Sequence, residues 1–265
     1  MRKWVLSLFT VLWIAGAAFS AKANEDNGPD PARLEALAAL GKKADAAAIK
    51  ELLTVAQDVK LASAERDAAI KALALSKDGG MVLLSWAANI PDEFKTSAAM
   101  ALASCPDAGV KAQGAAVLPL PSYKDGTPIP PLGDLVKIKG DPKNGAKIFR
   151  RAEGPNCISC HQIGEEGPSM VGPPLTVIGD KLGKDALYDS IISPSAGILM
   201  GYENWNVKIK GKGVLSGRLT EETEDHITIL NLTGQYIDIP IADVQKKIKL
   251  NVSIMPEGLG KTMTQ

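Results

Sequence analysis

Two cysteines and a histidine lie within five consecutive positions, Cys157-Ile158-Ser159-Cys160-His161. Thiols three residues apart can each form a thioether with one vinyl group of the same porphyrin, and the adjacent imidazole can then bind the iron. Cys-x-x-Cys-His is the attachment pattern of a c-type haem. The sequence therefore predicts one covalently attached haem c, with Cys157 and Cys160 as anchors and His161 as the proximal iron ligand.

Other sites that use a Cys-x-x-Cys pair fit this chain less well. A structural zinc site needs four ligands, but outside the motif the chain offers only Cys105 and His226. A thioredoxin-like redox pair opens a helix within a βαβ unit, whereas glycine and proline residues flank this motif on both sides. A simple disulfide would explain the thiols but not the adjacent histidine. Cys105 itself is predicted to be a small buried side chain on a helix.

The N-terminal residues predict export. Arg2 and Lys3 precede an apolar run that ends at Phe19, and Ala21-Lys22-Ala23 supplies a small-residue cleavage site, so residues 1–23 are interpreted as a secretory signal peptide. The run is shorter than the roughly 20 apolar residues of a membrane-spanning helix. We therefore expect a periplasmic or otherwise exported protein with no membrane span after cleavage.

Charge and length set further limits. The signal peptide contains three of the 30 basic residues and none of the 30 acidic ones, which leaves the mature chain with a net charge of about −3. Nothing in that balance favours nucleic acid or an anionic membrane as a partner. About 240 mature residues are typical of two domains rather than one.

The first of these domains, residues 30–117, is alanine-rich and predicts helices throughout. Pro31 suits a first helical position, and further helices are predicted near residues 45–57, 62–75, 81–88, 92–103 and 108–117. Residues 65–73 and 94–102 share paired alanines, then an apolar residue, then Ala-Leu. This self-similarity predicts a short α-solenoid resembling HEAT repeats, with an ordinary helical bundle as the alternative. We interpret this domain as a spacer or docking surface.

A proline-rich segment separates the two domains. Residues 118–133 contain five prolines and predict a semi-rigid extended linker. The second domain, residues 134–265, opens with Asp141 as a helix N-cap and Pro142 as the first helical residue. Another helix is predicted at residues 184–192.

A β-rich insertion is predicted at about residues 203–250. Trp205, Val207 and Ile209 alternate with polar residues, which is the period of a half-buried strand. Four more short strands are predicted at residues 214–219, 226–232, 235–239 and 246–250. Five short strands at this spacing predict a small SH3-like barrel or meander. The expected fold class is therefore mainly α with a small β insertion.

The ordered motifs of the second domain resemble those of known haem proteins. A helix with Gly-x-x-x-Phe (Gly145 and Phe149), the Cys-x-x-Cys-His motif and a later Gly-Pro-x-Leu resemble class I cytochromes c. More narrowly, residues 140–260 resemble the planctomycete/verrucomicrobial-type haem-binding domain, whose members often carry helical repeats before it. The segments that carry this narrower resemblance are Gly172-Pro173-Pro174-Leu175, Ser193-Pro194-Ser195-Ala196, Gly201-Tyr202-Glu203 and Ser253-Ile254-Met255-Pro256-Glu257-Gly258-Leu259.

The resemblance also implies roles for individual residues. In class I cytochromes c a proline carbonyl accepts a hydrogen bond from the axial histidine, which implies that Pro173 steadies His161. The family's methionine ligand implies Met255 as the sixth ligand of the iron. Met200 is its rival, and an open or water-filled position is the third possibility.

Two other side chains of an iron-binding type are not expected to be the sixth ligand. Met170 lies between the haem motif and Pro173, on the proximal side, and His226 is expected to be a strand-surface histidine.

One feature departs from class I cytochromes c, which pack their first helix against a helix that follows the methionine loop. Only ten residues follow Met255 here. We therefore expect either a truncated chain or another helix, such as one from a partner, over Ile148 and Phe149. Gly145 on the same helix would allow such a helix to approach closely.

The resemblance implies an electron carrier rather than an enzyme. Its partner would be a redox protein such as a separate periplasmic dehydrogenase, because the haem domain is often joined to propeller-type dehydrogenases. A five-coordinate haem that binds or senses NO, CO or peroxide is one alternative. A structural haem in a protein that works through its helical repeats is another.

Overall fold

A computed structural model describes residues 30–168 and 170–264 of the chain, so the predicted signal peptide lies outside the described residues. The first half consists of six helices: α1 (Pro31–Lys43), α2 (Ala46–Gln57), α3 (Ser63–Leu73), α4 (Lys77–Trp86), α5 (Asp92–Ser104) and α6 (Ala108–Val117). Four of them begin at an aspartate or serine whose side chain accepts a hydrogen bond from a first-turn N–H, namely Asp30, Asp45, Ser76 and Asp107. The helical prediction for this half is confirmed.

The six helices pack with their alternate neighbours. α1 contacts α3 and α3 contacts α5, while α2 contacts α4 and α4 contacts α6. The shared core is made mainly of leucines and alanines around Phe94 and Trp86. Cys105 is fully buried in this core, as predicted, but it directly follows α5 and does not lie on the helix. No helix among the described residues is long and apolar enough to cross a membrane.

The proline-rich segment is packed instead of being extended. Backbone hydrogen bonds fold it into a hairpin in which Ser122 pairs with Pro128. Ile129 is only 3% exposed and packs with Met100 of α5 and with Leu135. The predicted extended linker therefore differs from the structure, because apolar side chains between the prolines are buried by neighbouring elements. The domain boundary at this segment stays a prediction.

Short helices make up the next part of the chain: α7 (Leu132–Leu135), α8 (Pro142–Arg150), α9 (Ile178–Lys181) and α10 (Lys184–Ile192). α8 begins as predicted, with the Asp141 carboxylate accepting two backbone N–H groups. Ile148 and Phe149 are half-buried. A Cβ placed on Gly145 would meet no described atom within 4 Å, so the close helix approach expected there is not made within the described chain.

A five-stranded antiparallel sheet forms the β insertion. Its strands are β1 (Asn204–Ile209), β2 (Gly213–Glu222), β3 (His226–Leu230), β4 (Tyr236–Pro240) and β5 (Val244–Lys249), in the order β4-β3-β2-β1-β5. Val207, Ile227 and Ile229 lie at the centre of its apolar face. All five predicted strands are present. The sheet is an open meander with β5 returning beside β1, and β4 and β5 are its two edges, so the SH3-like barrel is not closed.

A half-buried ion-pair group joins α3 to α10. Lys71 Nζ lies 2.6 Å from Asp67 Oδ2 and 2.5 Å from Asp189 Oδ2. Burial by itself would lower the pKa of Lys71, but the two carboxylates outweigh it and raise the pKa above its ordinary value. On the same face of α3, the Ser63 hydroxyl donates to the carbonyl of Asn251. α3 therefore anchors the second half of the chain at two places.

Replacing Lys71 with methionine would leave two carboxylates side by side without their cation. We expect Lys71→Met to lower the free energy of unfolding by about 1–3 kcal/mol, less than for a fully buried pair because the lysine is partly exposed. Urea unfolding would measure this against Lys50→Met, an exposed lysine on α2, which should change stability by less than about 0.5 kcal/mol.

The pH dependence of this difference follows from the raised pKa of Lys71. A group whose pKa is raised by folding contributes its full stabilisation below its unfolded pKa and loses it only as the pH rises through the folded pKa. Burial already raises the pKa of Asp189, and losing Lys71 would raise it further, so the stability gap between Lys71→Met and Lys50→Met should stay constant only above the pH at which this carboxyl is ionised, from about pH 8 to pH 9. Equal stability of the two variants would contradict the role assigned to Lys71.

Candidate functional site

Cys157, Cys160 and His161 lie on one tight turn after α8. Residues Cys157–Ser159 form a 3₁₀ turn, and the N–H of His161 donates to the carbonyl of Cys157 at 3.0 Å. Asn156 reverses the chain just before the turn with φ of +46°, a conformation that asparagine tolerates better than most residues. The turn therefore holds both thiols and the imidazole in one short segment.

The two motif thiols do not form a disulfide, and both are half-buried. Burial raises the pKa of the Cys157 thiol. A redox-active cysteine of the thioredoxin type needs the opposite shift, usually at the N-terminus of an α-helix. Within residues 30–168 and 170–264, no group of three or more His, Cys, Asp or Glu side chains could hold a metal ion. The geometry therefore favours thiols that attach a porphyrin over a redox pair or a zinc site.

The His161 imidazole is oriented by a hydrogen bond to Pro173. Its Nδ1 lies 2.8 Å from the Pro173 carbonyl oxygen. Because a carbonyl can only accept, Nδ1 carries the proton and Nε2 keeps its lone pair. Such a bond fixes the ring and makes its other nitrogen a better metal ligand. The hydrogen bond that the resemblance implied is thus present, and its effect on an iron stays a prediction.

Gly172 lets the chain pass directly against the imidazole. A Cβ at this position would lie 2.5 Å from Cε1 of His161. The N–H of Gly172 donates to the Cys160 carbonyl, and the N–H of Leu175 donates to the Gln162 carbonyl, at 2.9 and 2.8 Å. The Gly-Pro-Pro-Leu segment is therefore fastened beside the cysteine motif by its backbone.

An ion pair between α8 and the loop after the motif was not predicted from the sequence. Arg150 Nε and Nη2 donate to the two carboxylate oxygens of Glu166 at 2.6 and 3.0 Å. Gly167 then turns back with φ of +81°, where a Cβ would lie 2.4 Å from the carbonyl oxygen of His161. The 16-residue separation of the ion pair carries no recognisable spacing signal, whereas Gly167 is one of the glycines that flank the motif in the sequence.

These residues fit a covalently bound haem c. The site offers two unpaired thiols and one imidazole nitrogen held in the ligating tautomer. Large apolar side chains that could contact a porphyrin ring are exposed nearby in sequence; they are Met170, Val177, Leu182, Ile191, Leu199 and Met200. Anchors, an axial ligand and apolar surface are the three things that such a cofactor requires.

Met170, Met200 and Met255 lie in three different surroundings. The Tyr236 hydroxyl donates to the sulfur of Met170 at 3.0 Å, which engages Met170 with the β-sheet. Met200 is 52% exposed before β1, and Met255 is half-buried in the loop after β5. His226 lies at the start of β3, where its Nδ1 is 3.0 Å from the Thr223 hydroxyl, which fits a strand-surface histidine.

Hydrogen bonds fasten the loop that contains Met255. The N–H of Met255 donates to the Ser253 hydroxyl at 3.1 Å, and Ser195 contacts both Ser253 and Glu257. Glu257 is an exposed residue, but partial burial of its carboxyl group raises the pKa of Glu257, an effect that the hydrogen bond from Ser195 opposes. Two of the motifs that carry the family resemblance thus meet in space. Ser195 was part of a quoted motif, but the sequence assigned it no role.

Alanine at Gly172 would force the imidazole away from its present position. We expect Gly172→Ala to lower the free energy of unfolding by about 1–3 kcal/mol and to reduce the fraction of chains that carry covalent haem. Gly179 on α9 is the matched control, because a Cβ there would meet no described atom within 4 Å. Gly179→Ala should be neutral or slightly stabilising. Thermal unfolding and haem absorbance per chain measure both effects; normal haem loading of Gly172→Ala would contradict the contact.

Comparison with known proteins identifies the domain that holds this site. The cytochrome c family model matches residues 142–227, from the first residue of α8 into β3. That range contains Cys157, Cys160, His161 and Pro173 but not Met255. A search of curated proteins found no match to the chain. The family implies haem c with its iron as the cofactor. Residues 142–227 of this chain therefore form a cytochrome c domain.

Proposed function

We propose that the protein is an exported monohaem c-type cytochrome that carries electrons and catalyses no reaction of its own. One observation carries the proposal: within the cytochrome c domain, His161 donates its Nδ1–H to the Pro173 carbonyl and keeps the Nε2 lone pair free, on the same turn as two thiols. The charged start, apolar run and Ala-x-Ala site of residues 1–23 support export.

Different residues of the chain would have different roles in such a carrier. Bound haem supplies a one-electron iron couple. Cys157 and Cys160 make its attachment permanent, while the carbonyl of Pro173 holds the His161 ring and increases its basicity. The thioether of Met255, proposed as the sixth ligand, favours ferrous iron and raises the reduction potential relative to two nitrogen ligands.

We also propose the narrower family, the planctomycete/verrucomicrobial-type haem-binding domain, preceded by HEAT-like repeats. The contact of the Ser193–Ala196 segment with the Ser253–Leu259 segment supports the first assignment, because both are motifs of that resemblance. Contacts between alternate helices, α1 with α3 and α2 with α4, support a two-row repeat array. This array would serve as a spacer or a docking surface.

The proposed electron donor is a separate redox protein, such as a periplasmic dehydrogenase. The family resemblance supports this proposal, because haem domains of that type are often joined to propeller-type dehydrogenases. The net charge of about −3 for the mature chain gives nucleic acid and anionic membranes no electrostatic advantage as partners.

Far-red absorbance tests the iron ligands. A methionine sulfur bound to ferric haem gives a weak charge-transfer band in this region, and we expect the band in the wild-type protein and in Met200→Ala. Met255→Ala should lose it, because its thioether is the proposed ligand. Persistence of the band in Met255→Ala, or its loss in Met200→Ala, would refute the assignment.

Carbon monoxide distinguishes the electron carrier from a five-coordinate ligand-binding protein. A six-coordinate ferrous protein should keep its spectrum under CO, because no iron position is open. Rapid CO binding together with a high-spin ferric form would instead favour the ligand-binding alternative. Redox cycling without electron transfer to any partner would favour a structural haem.

A further inference from the structure

The turn that follows α10 is the most buried part of the chain between α7 and the β-sheet. Between residues 137 and 203, Val171 and the four residues Ser193–Ala196 are the described residues that are buried. Ser195 is only 1% exposed, although it carries a hydroxyl group. A polar group buried to this degree is normally retained because it makes hydrogen bonds.

The Ser195 hydroxyl makes two such bonds, and both go to the loop that contains Met255. It accepts the N–H of Ser253 at 3.1 Å and donates to Glu257 Oε1 at 2.9 Å. Ser253 and Glu257 lie two residues before and two residues after Met255. A hydroxyl can accept and donate through a single oxygen, so one side chain fastens both sides of the loop.

These two hydrogen bonds matter because the loop forms no helix, strand or 3₁₀ turn between its two ends. Before it, the N–H of Leu250 donates to the carbonyl of Asn204 beside the sheet, and after it residues Leu259–Thr262 form a 3₁₀ turn. Between these points the Ser253 hydroxyl accepts the N–H of Met255 itself, which links Met255 to Ser195 through one intermediate residue.

The turn that contains Ser195 is itself held in place by other contacts. Ser195 lies three residues after α10, whose Asp189 pairs with Lys71 of α3 in the helical half. A positioning group works best when it sits on an element that is held in place by its own contacts. The turn at Ser195 meets that condition through α10.

We propose that Ser195 is a positioning residue that holds the Met255 loop in place for iron ligation. This inference rests on the proposed function, in which Met255 is the sixth ligand. Within the described structure, the Ser195 hydroxyl bonds to Ser253 and Glu257, so it would act on Met255 through these two residues.

The chain supplies a matched control two residues away. Ser193 is 2% exposed on the same turn, and its hydroxyl has no hydrogen-bond partner within the described structure. Ser193→Ala and Ser195→Ala therefore remove the same atom from the same buried turn. Only the second variant releases the loop.

Amide hydrogen exchange of the haem-loaded protein tests the contact directly. The Ser253 N–H should exchange about tenfold faster in Ser195→Ala, since it loses its acceptor, and at the wild-type rate in Ser193→Ala. Ser195→Thr keeps the hydroxyl and should restore slow exchange. Equal exchange at Ser253 in the two alanine variants would overturn the proposal.

Binding of added imidazole to the ferric protein tests the consequence for the iron. A released loop competes less well for the sixth position, so Ser195→Ala should bind imidazole about tenfold more tightly than Ser193→Ala. Equal imidazole affinities would overturn the positioning role even if exchange is faster. Glu257→Ala, which removes only one of the two bonds and lies at the surface, should shift the affinity in the same direction by a smaller factor.

Failure of the proposed function gives a different result. A wild-type protein that lacks the far-red band would overturn Met255 as the ligand, and the Ser195 proposal with it. A wild-type protein with the band, but with no difference between the two serine variants, would overturn the Ser195 proposal alone.

Discussion

The hydrogen bond between His161 Nδ1 and the Pro173 carbonyl is the contact on which the candidate site depends. It settles which imidazole nitrogen is protonated, and so which one can bind a metal. It also requires the chain to return against the ring, and only glycine at position 172 allows an approach this close. Backbone hydrogen bonds from Gly172 and Leu175 to the motif segment keep the returning chain in register. The imidazole is thus prepared as a ligand by the fold of one short segment.

The segment that contains the site, residues 137–203, has little protein core of its own. Its buried side chains are few, and apolar groups such as Val177 and Leu199 are exposed beside its short helices. Specific contacts at its edges compensate for this. The Lys71 ion-pair group joins it to α3 through Asp189. The segments next to it are held as well, because Ser63 of α3 bonds to Asn251 after the sheet and Ile129 of the proline-rich segment packs against α5. The helical half therefore holds the segments around the site in place through specific contacts.

Much of the secondary structure could be predicted from the sequence, because local patterns determine it. Alternating apolar residues in β1 specify a strand, and Asp141-Pro142 specifies the start of α8. Predictions that depended on how elements meet were less successful. The proline-rich segment packs because Ile129 finds partners on α5 and α7, which its local composition does not reveal. The sheet stays open because β5 pairs with β1 and not with β4, and strand spacing does not decide that choice.

By itself, the sequence determined the attachment chemistry, because two thiols and an imidazole within five residues specify a c-type haem. The residue that orients the imidazole, Pro173, was implied only by the resemblance to class I cytochromes c. Only the tertiary structure decided how the Met255 loop is held. Ser195 and Ser253 are 58 residues apart in the chain, and their hydrogen bond exists because the turn after α10 and the loop after β5 are folded against each other. A hydrogen bond between residues far apart in the chain leaves no spacing pattern in the sequence. The distance between its two atoms depends on how all the intervening elements fold.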